Sequence, residues 1–534
     1  MSPTTSQLLK YLSTFALAAC VALATLAGAP AEAEQDYAIF ANSLSRNMVS
    51  GETGLPSTFD PETGENVLWQ EPLGSQAYGG PVVFDGIIYA GTNNENPRDP
   101  EIQGDKGVMM AFDAKTGEFL WQGVHDKLPA GRVHDWPLQG ICSGPYVEGE
   151  RLWYVSNRAE IIAADTKGFR DGENDGPYAD EARKGKEDED ILWKLDMINE
   201  LDVFPHNLAA GNPLIVGDLL FTVTGNGVDE GHVNIPTPLA PSFIAVNKNT
   251  GELVWENAEP GAAILHGSWS NPVYGTAGGK EQVIFPGGDG WLYSFEPKTG
   301  KLIWKFDGNP KESKWALGGA GTRNNIISTP VLWKDRVYVG MGQDPEHGEA
   351  PGHFWVVDAT GEGDVTETGL VWARSGEEFN RTMSTAAITD EVLYISDLSG
   401  FLYALDPDTG EHFWTYDTFA AVWGSALVAD GKVYLGDEDG DVVILEDSKT
   451  KKVLGEINLG SAVYTAPVAS DGVLYVMTRN RLFAFKEGAA EKKEEPKKEE
   501  PKPEKPEKPE KPEKPAEGEA MNEANDGGGA SEGR

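Results

Sequence analysis

The sequence predicts an all-β fold, an eight-bladed β-propeller whose last blade is closed by an amino-terminal strand. Three observations predict it. A tight acidic turn followed by tryptophan recurs along the chain. A proline or small residue is followed eight positions later by an aromatic, again and again. The last copy lacks its turn and tryptophan, and the missing piece stands near the front.

The first repeat is an apolar strand, a D-x-x-T-G-like turn and a strand carrying Trp. It reads Phe112-Asp113-Ala114-Lys115-Thr116-Gly117 with Trp121. It recurs at Asn247 with Trp255, Glu296 with Trp304 and Asp406 with Trp414. Looser copies start at Asp165 (Trp193), Asp358 (Trp372) and Glu446, where Leu454 replaces Trp. The acidic or Asn side chain accepts backbone N–H bonds, and Gly supplies positive φ for the reversal. The large indole is expected to wedge between neighbouring sheets.

The second repeat counts the blades. The pairs are Pro81/Tyr89, Pro145/Trp153, Pro213/Phe221, Pro330/Tyr338, Ala386/Tyr394, Ala426/Tyr434 and Pro467/Tyr475, with a stretched copy from Pro272 to Phe285. Asp-Gly or Gly-Asp turns inside most pairs mark hairpins. Asp60-Pro61-Glu62-Thr63-Gly64 with Trp69 is the piece missing from the last copy, so that strand removes the free edge. Two insertions, at residues 170–190 and about 344–352, read as rim loops.

The expected organisation is a signal segment over residues 1–33, a lead-in over 34–58, the propeller over 59–487 and a Lys/Glu/Pro-rich disordered tail over 488–534. Lys10, the apolar run to Ala29 and Ala31-Glu32-Ala33 fit an export signal cleaved before Glu34. A competing reading takes Leu17-Ala18-Ala19-Cys20 as a lipid-attachment box, with a lipid anchor on Cys20. Either way the protein is expected to be exported, periplasmic or extracellular, with no transmembrane span after the signal. Only Cys142 then remains, so no disulfide framework is expected. The net charge of −41 argues against nucleic-acid binding.

From about Asp60 to Phe485 the chain resembles the pyrroloquinoline-quinone-repeat propellers. Phrases such as Val433-Tyr434-Leu435-Gly436-Asp437-Glu438-Asp439-Gly440 and Phe401-Leu402-Tyr403-Ala404-Leu405-Asp406-Pro407-Asp408-Thr409-Gly410 carry the resemblance. That superfamily includes quinone-dependent alcohol dehydrogenases and the non-enzymatic propeller lipoprotein of the outer-membrane β-barrel assembly machine. For a dehydrogenase the resemblance implies PQQ, Ca²⁺, two adjacent cysteines, an Asn ligand and an Asp base. The matching stretches are Gly140-Ile141-Cys142-Ser143, with a single cysteine, Gly225-Asn226-Gly227, and His266-Gly267-Ser268-Trp269-Ser270, with no Asp. Two elements are missing, which favours a binding or scaffold module of the cell envelope over a PQQ- and calcium-dependent oxidoreductase. No paired acid and base for a hydrolase or lyase is legible.

Residues just before each blade marker should line the channel or its mouth: His206, Asn207, His266, Trp269, Arg323, Asn324, Arg381, Trp423 and Tyr464, joined by Asn226 from the resemblance. Two Arg and two His on one axis suit a small polar or anionic ligand, and an envelope protein is the alternative partner. Three acidic or His-bearing stretches are weighed as metal sites and read otherwise: Asp344, Glu346, His347 and His353 as a solvated rim loop, the Asp171-Gly172-Glu173-Asn174-Asp175-Gly176 run as a flexible acidic insertion, and Asp437, Glu438, Asp439 and Asp441 as ordinary strand-turn chemistry.

Overall fold

The computed structural model describes residues 36–343 and 351–490. The signal segment with Cys20, the loop residues Asp344, Glu346 and His347, and the tail from residue 491 lie outside the described residues. The described strands form eight sheets, antiparallel except where the short strands Val49–Ser50 and Gly363–Asp364 join in parallel. Seven blades run through consecutive strands, from Val82–Phe84 at the inner edge of blade 1 to Val453–Asn458 at the outer edge of blade 7. Blade 8 takes its three inner strands from Val468–Ser470, Val473–Met477 and Arg481–Ala490, and its outer strand is Glu65–Pro72. The amino-terminal closure is therefore as expected, and the last strand continues past residue 487, to Ala490.

Local sequence explains each hairpin. The residue after each marker pairs with the distant aromatic: Val82 with Tyr89, Leu214 with Phe221, Val331 with Tyr338 and Leu427 with Tyr434. The acidic turn is built as the motif requires. Asp113 Oδ1 accepts from the backbone N–H groups of Lys115 (3.1 Å) and Thr116 (2.7 Å), and Gly117 turns at φ +75°.

The tryptophans stitch blade to blade. Five donate the indole N–H to the carbonyl just after the acidic or Asn residue that opens the next blade's turn, Trp69 to Ala114, Trp121 to Thr166, Trp193 to Lys248, Trp255 to Pro297 and Trp372 to Pro407, and Trp414 reaches one residue further, to Ser448 O. The turn glycine is needed there, because a Cβ on Gly117 would stand 2.8 Å from the Trp69 ring. Trp304 differs. It donates to Gln282 Oε1 (2.7 Å), and Gln282 Nε2 passes the link to Ala359 O (2.8 Å).

The lead-in was expected only as a leader to the propeller, and the structure gives it more work. Tyr37–Ala38 adds an inner strand to blade 2, and Val49–Ser50 pairs in parallel with Leu427–Ala429 of blade 7. Between them the chain touches blades 4, 5 and 6 through Leu44 O to Tyr274 N, Ser45 O to Leu332 N, and Asn47 to Ile388. The segment thus lies across the inner strands of several blades. Arg46, fully buried, pins it with bonds to the carbonyls of Phe40, Asn212, Pro213 and Pro272.

The 170–190 insertion is not wholly solvated. Its end bonds along the outer strand of blade 1, Gln122 N to Glu187 O and Glu189 N to Gln122 O, and it buries Glu189 and Asp190. No helix among the described residues is long and apolar enough to cross a membrane.

Candidate functional site

The segments entering the innermost strands of all eight blades surround one cavity of about 440 Å³. Its position is therefore axial, and Phe40 of the lead-in is part of its wall. Five of the ten residues expected at the channel lie on its wall: Asn207, His266, Trp269, Trp423 and Tyr464. Tyr78 and Trp136, which sequence reasoning missed, complete the aromatic lining. Tyr78 stacks on Tyr464 at 5.1 Å, and Trp423 meets Tyr464 edge-on at 5.5 Å. Glu438, behind them, lies 3.3 Å from the Tyr464 hydroxyl, which donates to it. Burial and that carboxylate push the Tyr464 phenol up to about 12, so it stays protonated at neutral pH.

The other five residues lie off the wall. Arg323 is drawn into an ion pair with Asp307 (2.7 Å). Asn324 accepts at its carbonyl from Asn309 Nδ2 and donates its N–H to Asn309 Oδ1. Arg381 packs its Cα and Cβ against Gly342, with its carbonyl taken by Leu398 N–H. Asn226 is sealed in, its Oδ1 accepting from Phe204 N and Thr237 Oγ1, both at 3.0 Å. His206 lies buried behind Trp269, which donates Nε1–H to its carbonyl at 3.1 Å. The wall therefore carries no Arg, Lys, Asp or Glu, and of the two Arg and two His expected on the axis for a polar or anionic ligand only His266 lies on it.

The polar wall residues are partly structural. Asn212 Oδ1 accepts from Gly144 N (2.7 Å), Asn271 Oδ1 from Asn212 N (2.7 Å), and Asn271 Nδ2 donates to Thr329 Oγ1 (2.8 Å). These bonds tie blades 2 to 5 in sequence around the axis. Cys142 is a free thiol on the wall, and burial pushes it up to about 12.

Of the three weighed metal loops, the Asp171 and Asp437 runs form turns, whereas His353 lies inside the strand Pro351–Asp358 and is buried rather than solvated. Asp437 Oδ1 caps its own turn, accepting from Asp439 N and Asp441 N at 3.0 Å each. Asp171 accepts from Glu173 N, and His353 is buried against Trp355 at 5.3 Å. Among the described residues, three histidines do come together: His206, His232 and His266, with their ligand atoms all within 4.8 Å of one another. His232 carries no sequence signal, because it sits in a loop rather than before a blade marker.

Eight repeated sheets, an amino-terminal strand closing the eighth and an axial aromatic cavity define a pyrroloquinoline-quinone-repeat propeller. The chain belongs to the family described as outer membrane protein assembly factor BamB, whose model matches residues 38–135, 185–416 and 355–453, more than half of the sequence. It is similar to the tetrathionate hydrolase of Acidithiobacillus ferrooxidans, 21% identical over 405 residues, covering 68% of this chain and 72% of that one. It is also similar to BamB of Shewanella oneidensis, 21% identical over 358 residues, covering 66% and 67% of the two chains. A shorter match is to the 1-butanol dehydrogenase (quinone) of Thauera butanivorans, 28% identical over 196 residues, covering 36% of this chain and 29% of that one. The crystal structure of BamB from Moraxella catarrhalis superposes with a TM-score of 0.51 at 15% identity, covering 79% of this chain and 99% of that one, which shows the shared fold.

Proposed function

We propose that the protein is an exported binding module that holds a neutral, ring-shaped polar ligand, such as a sugar, in the axial cavity. One observation carries the reading: a wall without Arg, Lys, Asp or Glu that brings Tyr78, Trp136, Trp269, Trp423 and Tyr464 together with amides and hydroxyls, the Arg132 guanidinium packing on the Trp136 ring at 4.2 Å and Glu438 on the Tyr464 hydroxyl at 3.3 Å. Aromatic faces stack on the apolar side of a ring, and amides and hydroxyls take its polar edge. The apolar run of residues 11–29 supports export, and so does family membership.

The quinone relatives raise the question whether PQQ with Ca²⁺ fits here. Ca²⁺ takes oxygen ligands, usually with carboxylates among them. No carboxylate lines this cavity, and the Asn226 oxygen is already shared by two donors of the protein. Cys142 is free, so no disulfide covers a quinone face. The residues present do not fit the calcium–quinone pair, which supports the binding-module reading over that of a quinoprotein dehydrogenase.

Intrinsic tryptophan fluorescence tests the proposal, because three indoles face the cavity. Neutral mono- and disaccharides should quench or shift the emission saturably, and Trp423→Ala should abolish the response. Saturable binding of PQQ only in the presence of Ca²⁺, with reduction of an artificial acceptor, would overturn the reading in favour of the dehydrogenase.

A further inference from the structure

The structure points to a transition-metal site at one end of blade 3. We propose that His206, His232 and His266 bind one divalent first-row transition ion of the zinc or copper kind. The inference rests on the three rings, of which His266 also lines the axial cavity.

The three histidines come from separate segments. His206 precedes the inner strand of blade 3, Leu214–Val216. His232 lies in the loop between strands Leu219–Val223 and Phe243–Asn247 of the same blade. His266 follows its outer strand, Leu253–Asn257. Backbone bonds sew these segments together: His206 N to Gly225 O (3.0 Å), Gly227 N to Phe204 O (3.0 Å) and Val228 N to His266 O (2.9 Å). Gly227 permits the close approach. A Cβ there would lie 2.5 Å from His266 O and 2.6 Å from His206 Cβ.

The geometry fits metal coordination. The Nε2 atoms of His232 and His266 face each other at 3.2 Å. Zn–N bonds of about 2.0–2.1 Å in a tetrahedron set neighbouring ligand nitrogens roughly 3.3–3.4 Å apart. The ring centroids lie 4.3 to 4.9 Å apart around one centre. His206 Nδ1 sits 2.8 Å from Val228 O, so that nitrogen holds the proton and Nε2 is the ligand atom. This is the outer hydrogen bond that orients metal-bound histidines.

The third ligand is also held in place. Asp229 Oδ1 accepts from Val233 N (2.8 Å) and Asn234 N (3.2 Å), which shapes the loop around His232. A Cβ on Gly318 would stand 2.5 Å from His232 Cβ, so a loop after blade 4 packs closely over it. Trp269 covers His266 edge-on at 5.0 Å. Imidazole ligands suit Zn²⁺, Cu²⁺ and Ni²⁺ and do not suit Ca²⁺ or Mg²⁺. Among the described residues no cysteine or carboxylate joins the cluster, so a tetrahedral ion keeps one position for water or an added ligand.

The test uses the purified, chelator-stripped protein with Zn²⁺ and Co²⁺ as probes. Zinc is counted after equilibrium dialysis against a competing chelator, and Co²⁺ is followed by its visible d–d absorption. The informative variant is His232→Asn. His232 is only half-buried, and its φ of +55° is one that Asn tolerates, so the fold should persist and circular dichroism can verify it. One Zn²⁺ per chain, a tetrahedral Co²⁺ spectrum and about 100-fold or greater weakening in His232→Asn are expected. His206→Gln should lose the same signal if it folds, and His232→Asn decides the matter if it does not. Equal zinc uptake by wild type and His232→Asn, or no cobalt spectrum in the wild type, would overturn the site and assign any bound metal to the acidic surface.

Discussion

The indole N–H of Trp69 and the phenol of Tyr475 donate to the same carbonyl, that of Ala114, at 2.9 and 3.1 Å. Both donors belong to blade 8 and the acceptor to blade 1, so the pair spans the seam where the ring closes.

A shared acceptor makes the two donors redundant. Trp69→Phe or Tyr475→Phe alone should cost about 1 kcal/mol, because the carbonyl keeps one partner. The double variant leaves it unpaired in a buried seam, and its cost should exceed the sum by about 1 kcal/mol or more. Urea unfolding midpoints of the four proteins measure this coupling. Strict additivity would show that the seam is not held through Ala114.

Arg46 gives a second prediction. Its guanidinium reaches four carbonyls from three directions, which a lysine ammonium cannot match. Arg46→Lys should destabilise by about 3 kcal/mol and Arg46→Met by at least as much, since both leave buried acceptors unpaired. Limited proteolysis should then cut first within residues 37–50. Because Asn212 supplies one of those carbonyls and also lines the cavity, ligand-induced fluorescence changes should weaken in the same variants.

The contrast between fold and site shows what a sequence can carry. The Asp113 turn and the Val82–Tyr89 hairpin are made by residues within a few positions of one another, and they repeat, so blade number and closure were legible. Asn207, His266, Trp269, Trp423 and Tyr464 were legible at the axis because they immediately precede inner strands. Arg323 and Asn324 stand in similar places, but Asp307 and Asn309 on the preceding strand's end draw them away. Such a choice depends on a tertiary neighbour that no local pattern announces. The path of residues 37–50 was illegible for the same reason. It pairs antiparallel with blade 2 and parallel with blade 7, with no turn motif joining either pair. His232 reaches its partners only because a loop folds back over its own blade.

Cys142 should be nearly inert despite facing the cavity. Burial raises its thiol to about 12, so thiolate accumulates only as the pH approaches that value. Relative to an ordinary thiol near 8.5, alkylation at pH 8 should be about a thousandfold slower in the native state. In a Cys20→Ser chain, iodoacetamide labelling followed by mass spectrometry reads this directly. Urea should restore full reactivity. Rapid native labelling would mean that the wall at Cys142 is wet and open.

The last prediction concerns pH. Tyr154 donates to Glu189 Oε1 at 2.7 Å, and its hydroxyl lies 2.6 Å from His125 Nε2, all three side chains buried where the insertion meets blade 1. Burial raises the Glu189 carboxyl to about 7 and lowers the His125 imidazole to about 3, so both are neutral between those values. The two push stability in opposite directions. Glu189 has a folded pKa above its ordinary 4.5, so its contribution is complete in acid and declines as the pH rises from about 4.5 to 7. His125 has a folded pKa below its ordinary 6.5, so its contribution is complete above that pH and declines as the pH falls toward 3. Glu189→Gln keeps an acceptor for Tyr154 and removes the charge. It should therefore flatten the decline between pH 4.5 and 7, a change on the order of 3 kcal/mol at full ionisation. His125→Asn should flatten only the acid limb below pH 6.5. Thermal midpoints of the three proteins from pH 3 to 8 separate the two effects. A Glu189→Gln profile parallel to the wild type would show that Glu189 is already ionised in the native protein, held as a charge by His125.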